Sequence, residues 1–338
     1  MKKILFSLIL SLYLTSAFAV PYKKIVILGD SLSDNGNLYK LDAHFLPKSP
    51  PYFKGRFSNG DVWSDTLTQR YFDRYQVTST NYAYGGATST NHNPVTDPTL
   101  PITLTSELND YLLKALFQKK SDTLFIIWIG ANDYLFDKSV DPELLTTRVV
   151  DEIKKTVDTL VQDHAQFFLV LNLPDISKTP LSRGQGQLSE RLHTLSLLHN
   201  QKLAALIAQA KEKYPNVKFV TVDIAALFDD LLNNPDKYNQ LYHVNIHDVI
   251  NPCWPGGYTH LLAEKISADN AIPENIVTSM MNSPDLYEAM SVSERAAANE
   301  AACVDPDNRV FWDRVHPSAP VHQILADVID SQLLANGL

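Results

Sequence analysis

Ser31 is a candidate nucleophile because of its place in the sequence. It lies in the segment GDSLSDNGN over residues 29–37, directly after the apolar run 25–28. That run predicts a buried strand, and open α/β sheets place their chemistry at the carboxyl ends of such strands. The alternative is a simple turn and helix cap, a frequent use of Ser, Asp and Asn. In either case we expect Asp30 and Asp34 to shape the turn and to cap the helix that follows it.

A base and an acid that could activate this serine lie near the other end of the chain. Asp313 and His316 stand three residues apart in the segment DRVHP over 313–317. A serine hydroxyl needs a general base to become nucleophilic, and an acid orients that base. The sequence therefore predicts Ser31 as nucleophile, His316 as base and Asp313 as orienting acid, in that chain order of Ser, Asp, His.

Two further segments carry hydrogen-bond donors suited to acyl transfer. NYAYGGAT covers residues 81–88, and GAND covers 130–133 after another apolar run. Acyl transfer requires donors aimed at the oxyanion that develops on the attacked carbonyl. The N–H of Ser31, a glycine N–H from 85–86 and the Asn132 amide would supply three. Separately these segments are typical of a turn and a helix cap, but their occurrence together favours a site.

These segments resemble the sequence blocks of the GDSL, or SGNH, hydrolase superfamily. Ser31, Gly86, Asn132, Asp313 and His316 stand where those blocks have their functional residues. The residues alone leave open which of the paired glycines is the oxyanion donor, and the family pattern implies Gly86 rather than the glycine before it. The match extends from about residue 23 to residue 325 and includes three more segments: GRFSNG at 55–60, NLPD at 172–175 and HN at 199–200.

The resemblance is strongest to bacterial secreted lysophospholipases and glycerophospholipid:cholesterol acyltransferases. It implies a lysophospholipase A or phospholipase A that forms an acyl-serine intermediate, transfers acyl groups to an alcohol such as a sterol, and needs no metal or organic cofactor. A carbohydrate or short-chain aryl esterase is an alternative, because fold alone does not fix substrate. A secreted binding protein is another, although the intact Ser31, Asp313 and His316 argue against it.

The N-terminus and the overall charge limit where the protein acts and what it binds. Residues 1–19 combine a charged start, an apolar middle and an Ala-x-Ala end, which predicts a secretory signal peptide removed before a hydrolase domain over 20–338. The alternative, a membrane anchor, needs about 20 apolar residues, more than the run 4–14 offers.

A net charge of −9 argues against nucleic acid partners. Scattered histidines and the lack of a Cys-x-x-Cys segment argue against a metal site.

Cys253 and Cys303 are the only cysteines of the chain. An even pair in an exported protein predicts one disulfide, with two separate buried thiols as the alternative. Both lie in an insertion over about residues 251–306, which is either a surface excursion or a cap near the acyl pocket. In the acyltransferases that the chain resembles, a protease cuts a disulfide-closed loop at this place and changes activity. The resemblance thus implies a processing protease as partner.

The pattern of apolar residues predicts the elements that must position these groups. Short apolar segments predict five parallel strands: 24–29, 77–82, 124–130, 167–173 and 218–223. Apolar residues at helical spacing predict the helices between them: 63–75, 104–117, 142–164 and 188–214. Strands that alternate with helices predict a three-layer α/β/α sandwich, interrupted by the disulfide-bounded insertion. The resemblance implies the same flavodoxin-like fold.

Overall fold

Five parallel strands form one sheet at the centre of the structure. A computed structural model describes these parts of the chain: 20–42, 44, 46–90, 102–136, 141–255 and 301–338. The strands are β1 (Lys24–Gly29), β2 (Thr78–Asn81), β3 (Thr123–Trp128), β4 (Phe167–Leu171) and β5 (Lys218–Val222). Their order across the sheet is β2-β1-β3-β4-β5. All five predicted strands are confirmed, with ends that differ by at most two residues.

The strand β2 differs from the prediction in its burial. The apolar pattern predicts a buried strand, but Thr78 and Ser79 are exposed. The reason is the position of β2 at the edge of the sheet, where it pairs with β1 alone. Every residue of β3 is buried, because that strand has neighbours on both sides and helices on both faces.

Helices cover both faces of the sheet. They are α1 (Asn37–Leu41), α2 (Trp63–Tyr75), α3 (Leu104–Lys114), α4 (Ala131–Phe136), α5 (Pro142–Gln162), α6 (Gln187–Lys213), α7 (Ile224–Asn233), α8 (Pro235–Tyr242) and α9 (Ala319–Ala335). The four predicted helices correspond to α2, α3, α5 and α6, and α3 ends three residues earlier than predicted. The pattern predicts none of the others.

The helices divide into two layers because of the order of the strands. The chain moves from β1 to β2 in one direction along the sheet, and from β2 through β5 in the other. Right-handed crossovers therefore place their helices on opposite faces. On one face α2 packs against α9, and on the other α5 packs against α3 and α6. This arrangement is the predicted three-layer sandwich.

Aromatic side chains in register hold the centre of the sheet together. Phe125, Phe168 and Phe219 are directly opposite one another on β3, β4 and β5. Their rings stack at centroid distances of 5.7 and 5.1 Å. Such cross-strand aromatic pairs stabilise a sheet beyond the area they bury. The sheet is therefore a rigid support for the loops at its carboxyl edge.

The predicted disulfide between Cys253 and Cys303 is present. It joins the two described ends of the insertion, where the Cys303 amide also donates to the Cys253 carbonyl at 3.0 Å. Residues 256–300 of the insertion and the predicted signal peptide lie outside the described residues. Across the described ranges, no helix is both long and apolar enough to cross a membrane.

Candidate active site

Ser31 lies on the tight turn that follows β1. The Asp30 carbonyl accepts hydrogen bonds from the amides of Ser33 at 2.9 Å and Asp34 at 3.0 Å. The Asp30 carboxylate accepts the amide of Leu32 at 3.0 Å. The expectation that Asp30 shapes the turn is therefore confirmed. Only 7% of Ser31 is exposed, so the turn holds its hydroxyl in a largely enclosed place.

The order of the strands brings Ser31 and Asn132 to the same edge of the sheet. The ends of β1 and β3 are in register, with Gly29 opposite Trp128. The chain leaves these neighbouring strands toward opposite sides of the sheet, which opens a crevice between them. Open α/β sheets bind their ligands at such a switch point. The sequence supplies both segments, and the strand order brings them together.

The structure joins Ser31, His316 and Asp313 by two short hydrogen bonds. His316 Nε2 lies 2.8 Å from Ser31 Oγ. The other ring nitrogen, Nδ1, lies 2.7 Å from Asp313 Oδ2. All three side chains are buried. In this geometry Nε2 can accept the serine proton while Nδ1 donates to the carboxylate, as in serine hydrolases on other folds.

The Asp313 carboxylate is held by four hydrogen bonds. Its Oδ1 accepts the amides of Val315 at 2.8 Å and His316 at 2.7 Å. Its Oδ2 accepts the His316 ring and, at 2.7 Å, the hydroxyl of Tyr52. Burial raises the pKa of Asp313, but the interaction with His316 and these hydrogen bonds outweigh it and lower the pKa below its usual value. Asp313 is therefore ionised at neutral pH and fixed in orientation.

The segment around Tyr52 and Phe57 supports the loop that carries Asp313 and His316. The Phe57 ring centroid lies 5.0 Å from that of His316. The Ser58 hydroxyl donates to the Pro317 carbonyl at 2.9 Å. Sequence reasoning assigns no role to Tyr52 or Phe57. The signal that could have found Phe57 is the segment GRFSNG at 55–60, which contributes to the family resemblance without an obvious chemical group, whereas Tyr52 lies just before it and carries no such signal.

Gly85 and Gly86 lie on one tight turn but differ in what their amides do. The turn runs from Tyr84 to Ala87, closed by an Ala87 amide to Tyr84 carbonyl bond of 3.1 Å. The Gly85 N–H donates to Asp34 Oδ2 at 2.7 Å. The Gly86 amide donates to no acceptor in the described part of the chain. Gly85 could therefore serve an oxyanion only by breaking an existing bond, which favours Gly86.

Asn132 is placed beside the same turn. It lies in the first helical turn of α4, and its Nδ2 donates to the Ala87 carbonyl at 2.8 Å. Its side chain therefore reaches across to the turn that carries Gly86. An amide nitrogen has two hydrogens, so this bond leaves a second one available to a ligand.

Buried carboxylates lie behind the nucleophile turn. Burial raises the pKa of Asp30 to about 7 and that of Asp34 to about 6. Burial also raises the pKa of Glu107 well above its usual value, although Glu107 Oε2 accepts the Gly29 amide at 2.8 Å. These carboxylates do not form a metal site. Within the described ranges, no group of three or more His, Cys, Asp or Glu side chains is arranged to hold a metal ion.

Comparison with known proteins places most of the chain within one family pattern. The model of a family described as GDSL-like Lipase/Acylhydrolase matches residues 25–329. That range begins in β1, ends in α9 and contains every residue of the site described above. The match therefore rests on the whole fold and not on one short segment.

Three characterised proteins are similar to the chain along most of its length. Phosphatidylcholine-sterol acyltransferase of Aeromonas hydrophila is 32% identical over 312 residues, which cover 90% of this chain and 88% of that protein. Secreted effector protein SseJ of Salmonella typhimurium is 26% identical, covering 91% of this chain and 63% of its own length. Thermolabile hemolysin of Vibrio parahaemolyticus is 26% identical, covering 90% and 62%. The chain thus spans less than two thirds of the latter two proteins.

Proposed function

We propose that this chain, which belongs to the GDSL-like lipase/acylhydrolase family and is therefore an ester hydrolase, hydrolyses acyl esters of lysophospholipids and phospholipids. The observation that carries the chemistry is the hydrogen-bonded series from Ser31 through His316 to Asp313. Each of its two contacts lies within the range needed for proton transfer between a nucleophile, its base and an orienting acid.

In the proposed first half-reaction, Ser31 Oγ attacks the ester carbonyl carbon while His316 Nε2 takes the hydroxyl proton. The carbonyl oxygen becomes an oxyanion, which accepts hydrogen bonds from the N–H groups of Ser31 and Gly86 and from Asn132 Nδ2. When the C–O bond to the leaving alcohol breaks, His316 returns the proton to that alcohol. Asp313 stabilises the imidazolium between these events. The product is an acyl-serine.

In the second half-reaction, water or another alcohol attacks the acyl-serine. His316 takes the proton of the attacking hydroxyl and gives it to Ser31 Oγ as the acyl group leaves. Water yields a fatty acid, and an alcohol such as a sterol yields a new ester. Acyl transfer is favoured if the insertion between Cys253 and Cys303 keeps water from the acyl-serine, a recognised role of such covers.

The choice of lipid as substrate rests on the relatives and on charge. The relative that is 32% identical to this chain is named for phosphatidylcholine and a sterol as its substrates. A lysophospholipid has one acyl chain and can be taken as a monomer or from a micelle, so the enzyme needs no large membrane-binding face. A net charge of −9 is consistent with that, because it disfavours docking on anionic membranes.

The test is fatty-acid release from four substrates under one condition: lysophosphatidylcholine, diacyl phosphatidylcholine, triglyceride and an acetylated sugar. We expect fastest release from the lysophospholipid, and sterol ester formation when cholesterol is added. Ser31→Ala is the matched control and releases nothing above background. Faster release from triglyceride or acetylated sugar would contradict the proposed substrate class, while leaving the role of Ser31 intact.

We also propose that residues 1–19 are removed on export and that 20–338 form the exported hydrolase domain. The composition of the N-terminus, the disulfide and the name of the secreted relative support this. Mass spectrometry of protein from the periplasm or medium should find Val20 at the N-terminus. An intact N-terminus in the active protein would contradict the proposal.

Proteolytic processing within the insertion is the remaining part of the proposal. A cut between Cys253 and Cys303 leaves the two fragments joined by the disulfide. After limited proteolysis we expect one band on a non-reducing gel and two on a reducing gel, with a changed rate of acyl transfer. A fully cleaved protein with unchanged activity would contradict a regulatory role for the cut.

A further inference from the structure

Asp34 is a buried carboxylate whose two oxygens both accept backbone amides. It lies three residues after Ser31 and is 0% exposed. Its Oδ1 accepts the amides of Gly36 at 2.8 Å and Asn37 at 2.6 Å. Its Oδ2 accepts those of Leu38 at 3.2 Å and Gly85 at 2.7 Å. Three of these donors are Gly36 and the first two residues of α1, whereas Gly85 comes from a different part of the chain.

The bond to Gly85 joins the nucleophile turn to the turn that carries Gly86. In the turn from Tyr84 to Ala87, Gly86 has a φ of 76° at the third position, as in a type II turn. The Ala87 amide is used within the turn, and the Gly85 amide is used by Asp34. The Gly86 amide is thus the one amide of Gly85, Gly86 and Ala87 that points to no acceptor in the described chain.

Gly85 is also held by contact with an aromatic ring. A Cβ placed on Gly85 would lie 2.2 Å from the Phe57 ring, so the backbone of the turn touches that ring directly. The same ring packs against His316. The turn is therefore held by the hydrogen bond to Asp34 and by contact with the ring that also packs against His316.

We infer that Asp34 is a positioning residue for the oxyanion hole, which it serves by holding the Gly85 N–H so that the next N–H, that of Gly86, faces the carbonyl attacked by Ser31. This inference rests on the proposed function. The Gly85 and Gly86 amides lie in consecutive planar peptides that are joined through the φ and ψ of Gly85. The Asp34 bond fixes the first peptide, and the turn bond from Ala87 to Tyr84 and the Phe57 contact limit those two dihedrals, so together they set the direction of the Gly86 amide. Although burial raises the pKa of Asp34 to about 6, the carboxylate is mostly ionised at pH 7 and accepts charge-assisted bonds.

Asp30 supplies a matched control. It is also buried and lies on the same turn. Its carboxylate accepts the Leu32 amide at 3.0 Å, and none of its hydrogen bonds reaches the turn from Tyr84 to Ala87. Asp30→Asn therefore changes a second buried carboxyl group of the same turn without touching the bond to Gly85.

The test compares two inhibitors in Asp34→Asn and Asp34→Ser. In the first variant an NH₂ group replaces one carboxylate oxygen and opposes a backbone N–H. In the second, one hydroxyl can still accept from the turn, but nothing reaches Gly85. An alkyl boronic acid forms a tetrahedral adduct on Ser31 and uses the oxyanion hole. An ether analogue of lysophosphatidylcholine has no carbonyl and does not use it.

We expect the inhibition constant of the boronic acid to rise about 10- to 100-fold in both variants, since loss of a whole oxyanion donor costs about 10²–10³. The constant of the ether lipid should change less than about twofold, and kcat should fall while KM stays constant, as for an interaction made only in the transition state. Asp30→Asn should leave the ratio of the two inhibition constants as in the wild type.

Three results would overturn the inference: equal weakening of both inhibitors, an unchanged ratio in the Asp34 variants, or the same change of ratio in Asp30→Asn. Loss of a cooperative melting transition in both Asp34 variants would also overturn it, because it assigns Asp34 a purely structural role. A wild-type protein that neither binds the boronic acid nor cleaves esters would instead contradict the proposed function, so the two failures can be told apart.

Discussion

At the scale of single residues, the site is one continuous series of hydrogen bonds. It runs from Tyr52 through Asp313 and His316 to Ser31, with contacts of 2.7, 2.7 and 2.8 Å. Because the ionised Asp313 can only accept, the facing His316 Nδ1 must carry a proton, and Nε2 is left to accept from Ser31. The ionised acid thus selects the tautomer of the neutral His316 ring that can accept the proton of Ser31.

Ser31→Ala and His316→Ala should each lower kcat by about 10⁴ or more, because removing either member of such a unit leaves only residual catalysis. Both variants should keep the wild-type melting temperature within a few degrees. The measurement is fatty-acid release together with labelling by a fluorophosphonate probe. More than about a tenth of the wild-type rate in either variant would contradict the assignment.

Asn132→Ala should cost less than loss of the nucleophile, about 10²–10³ in kcat, as expected for one oxyanion donor. KM should change little, since the donor acts on the charge of the transition state. Asn172→Ala is a control, because this asparagine bonds Asp223 and the start of α7 and not the site. An Asn132→Ala rate equal to that of the wild type would exclude the donor role.

Tyr52→Phe should lower kcat by about 10-fold, because a hydrogen bond to a charged group contributes about 1.5–3 kcal/mol. The ring itself remains and keeps its edge contact with Trp312. Tyr134→Phe removes an equally buried hydroxyl, which bonds His199 at 2.7 Å, and serves as control for stability. Equal kcat values for the two variants would show that the hydrogen bond from Tyr52 to Asp313 does not contribute to catalysis.

At the scale of elements, the ends of β1 and β3 bring Ser31 and Asn132 to one edge of the sheet, and the pairing of α2 with α9 supports the loop that carries His316. His322 of α9 accepts the Trp63 amide at the start of α2, with its Nδ1 at 3.3 Å. Both residues are fully buried. The helix that follows His316 is thereby fixed to the helix that follows the Phe57 segment.

His322 should make the protein less stable as the pH falls. Burial lowers its pKa from 6.5 to about 3. Above pH 6.5 both states are neutral and the residue contributes no pH dependence. Below pH 6.5 the imidazole binds a proton in the unfolded chain but stays neutral in the folded chain. The free energy of unfolding therefore falls by about 1.4 kcal/mol per pH unit, which amounts to about 2 kcal/mol at pH 5.

The variant His322→Asn tests this prediction, because an asparagine oxygen can accept the Trp63 amide and does not titrate. Urea unfolding at pH 8 and pH 5 should show a smaller loss of stability in the variant than in the wild type. His199, whose pKa burial also lowers to about 3, continues to contribute in both proteins. An equal loss in the two proteins would contradict the role of His322.

At the scale of the whole molecule, the disulfide and the site belong to one buried cluster. Tyr52, Trp254 and Trp312 pack together with Cys253. The Trp254 amide donates to the Trp312 carbonyl at 2.6 Å, and the Trp312 amide donates to the His316 carbonyl at 2.9 Å. The described ends of the insertion are therefore in contact, through two tryptophans, with the loop that carries His316.

Replacing both cysteines by serine should lower the free energy of unfolding by up to about 4 kcal/mol, because the disulfide closes a long loop of the unfolded chain. The two cysteines are 50 positions apart. Urea unfolding of the double variant, with the reduced wild-type protein as control, measures the effect. Equal stability of the oxidised and reduced wild type would contradict it.

The sequence by itself determined the strands, four of the helices and the candidate triad of Ser31, Asp313 and His316. These depend on periodicity and on short spacings such as the three residues from Asp313 to His316, which are local properties of the chain. Only the tertiary structure decided that the Gly85 amide donates to Asp34 and that Tyr52 donates to Asp313, 261 positions away. It also decided that β2 is a half-exposed strand at the edge of the sheet. Those contacts depend on which distant segments of the chain meet. The order of the strands, together with the packing of the loops at their carboxyl ends, determines which segments do.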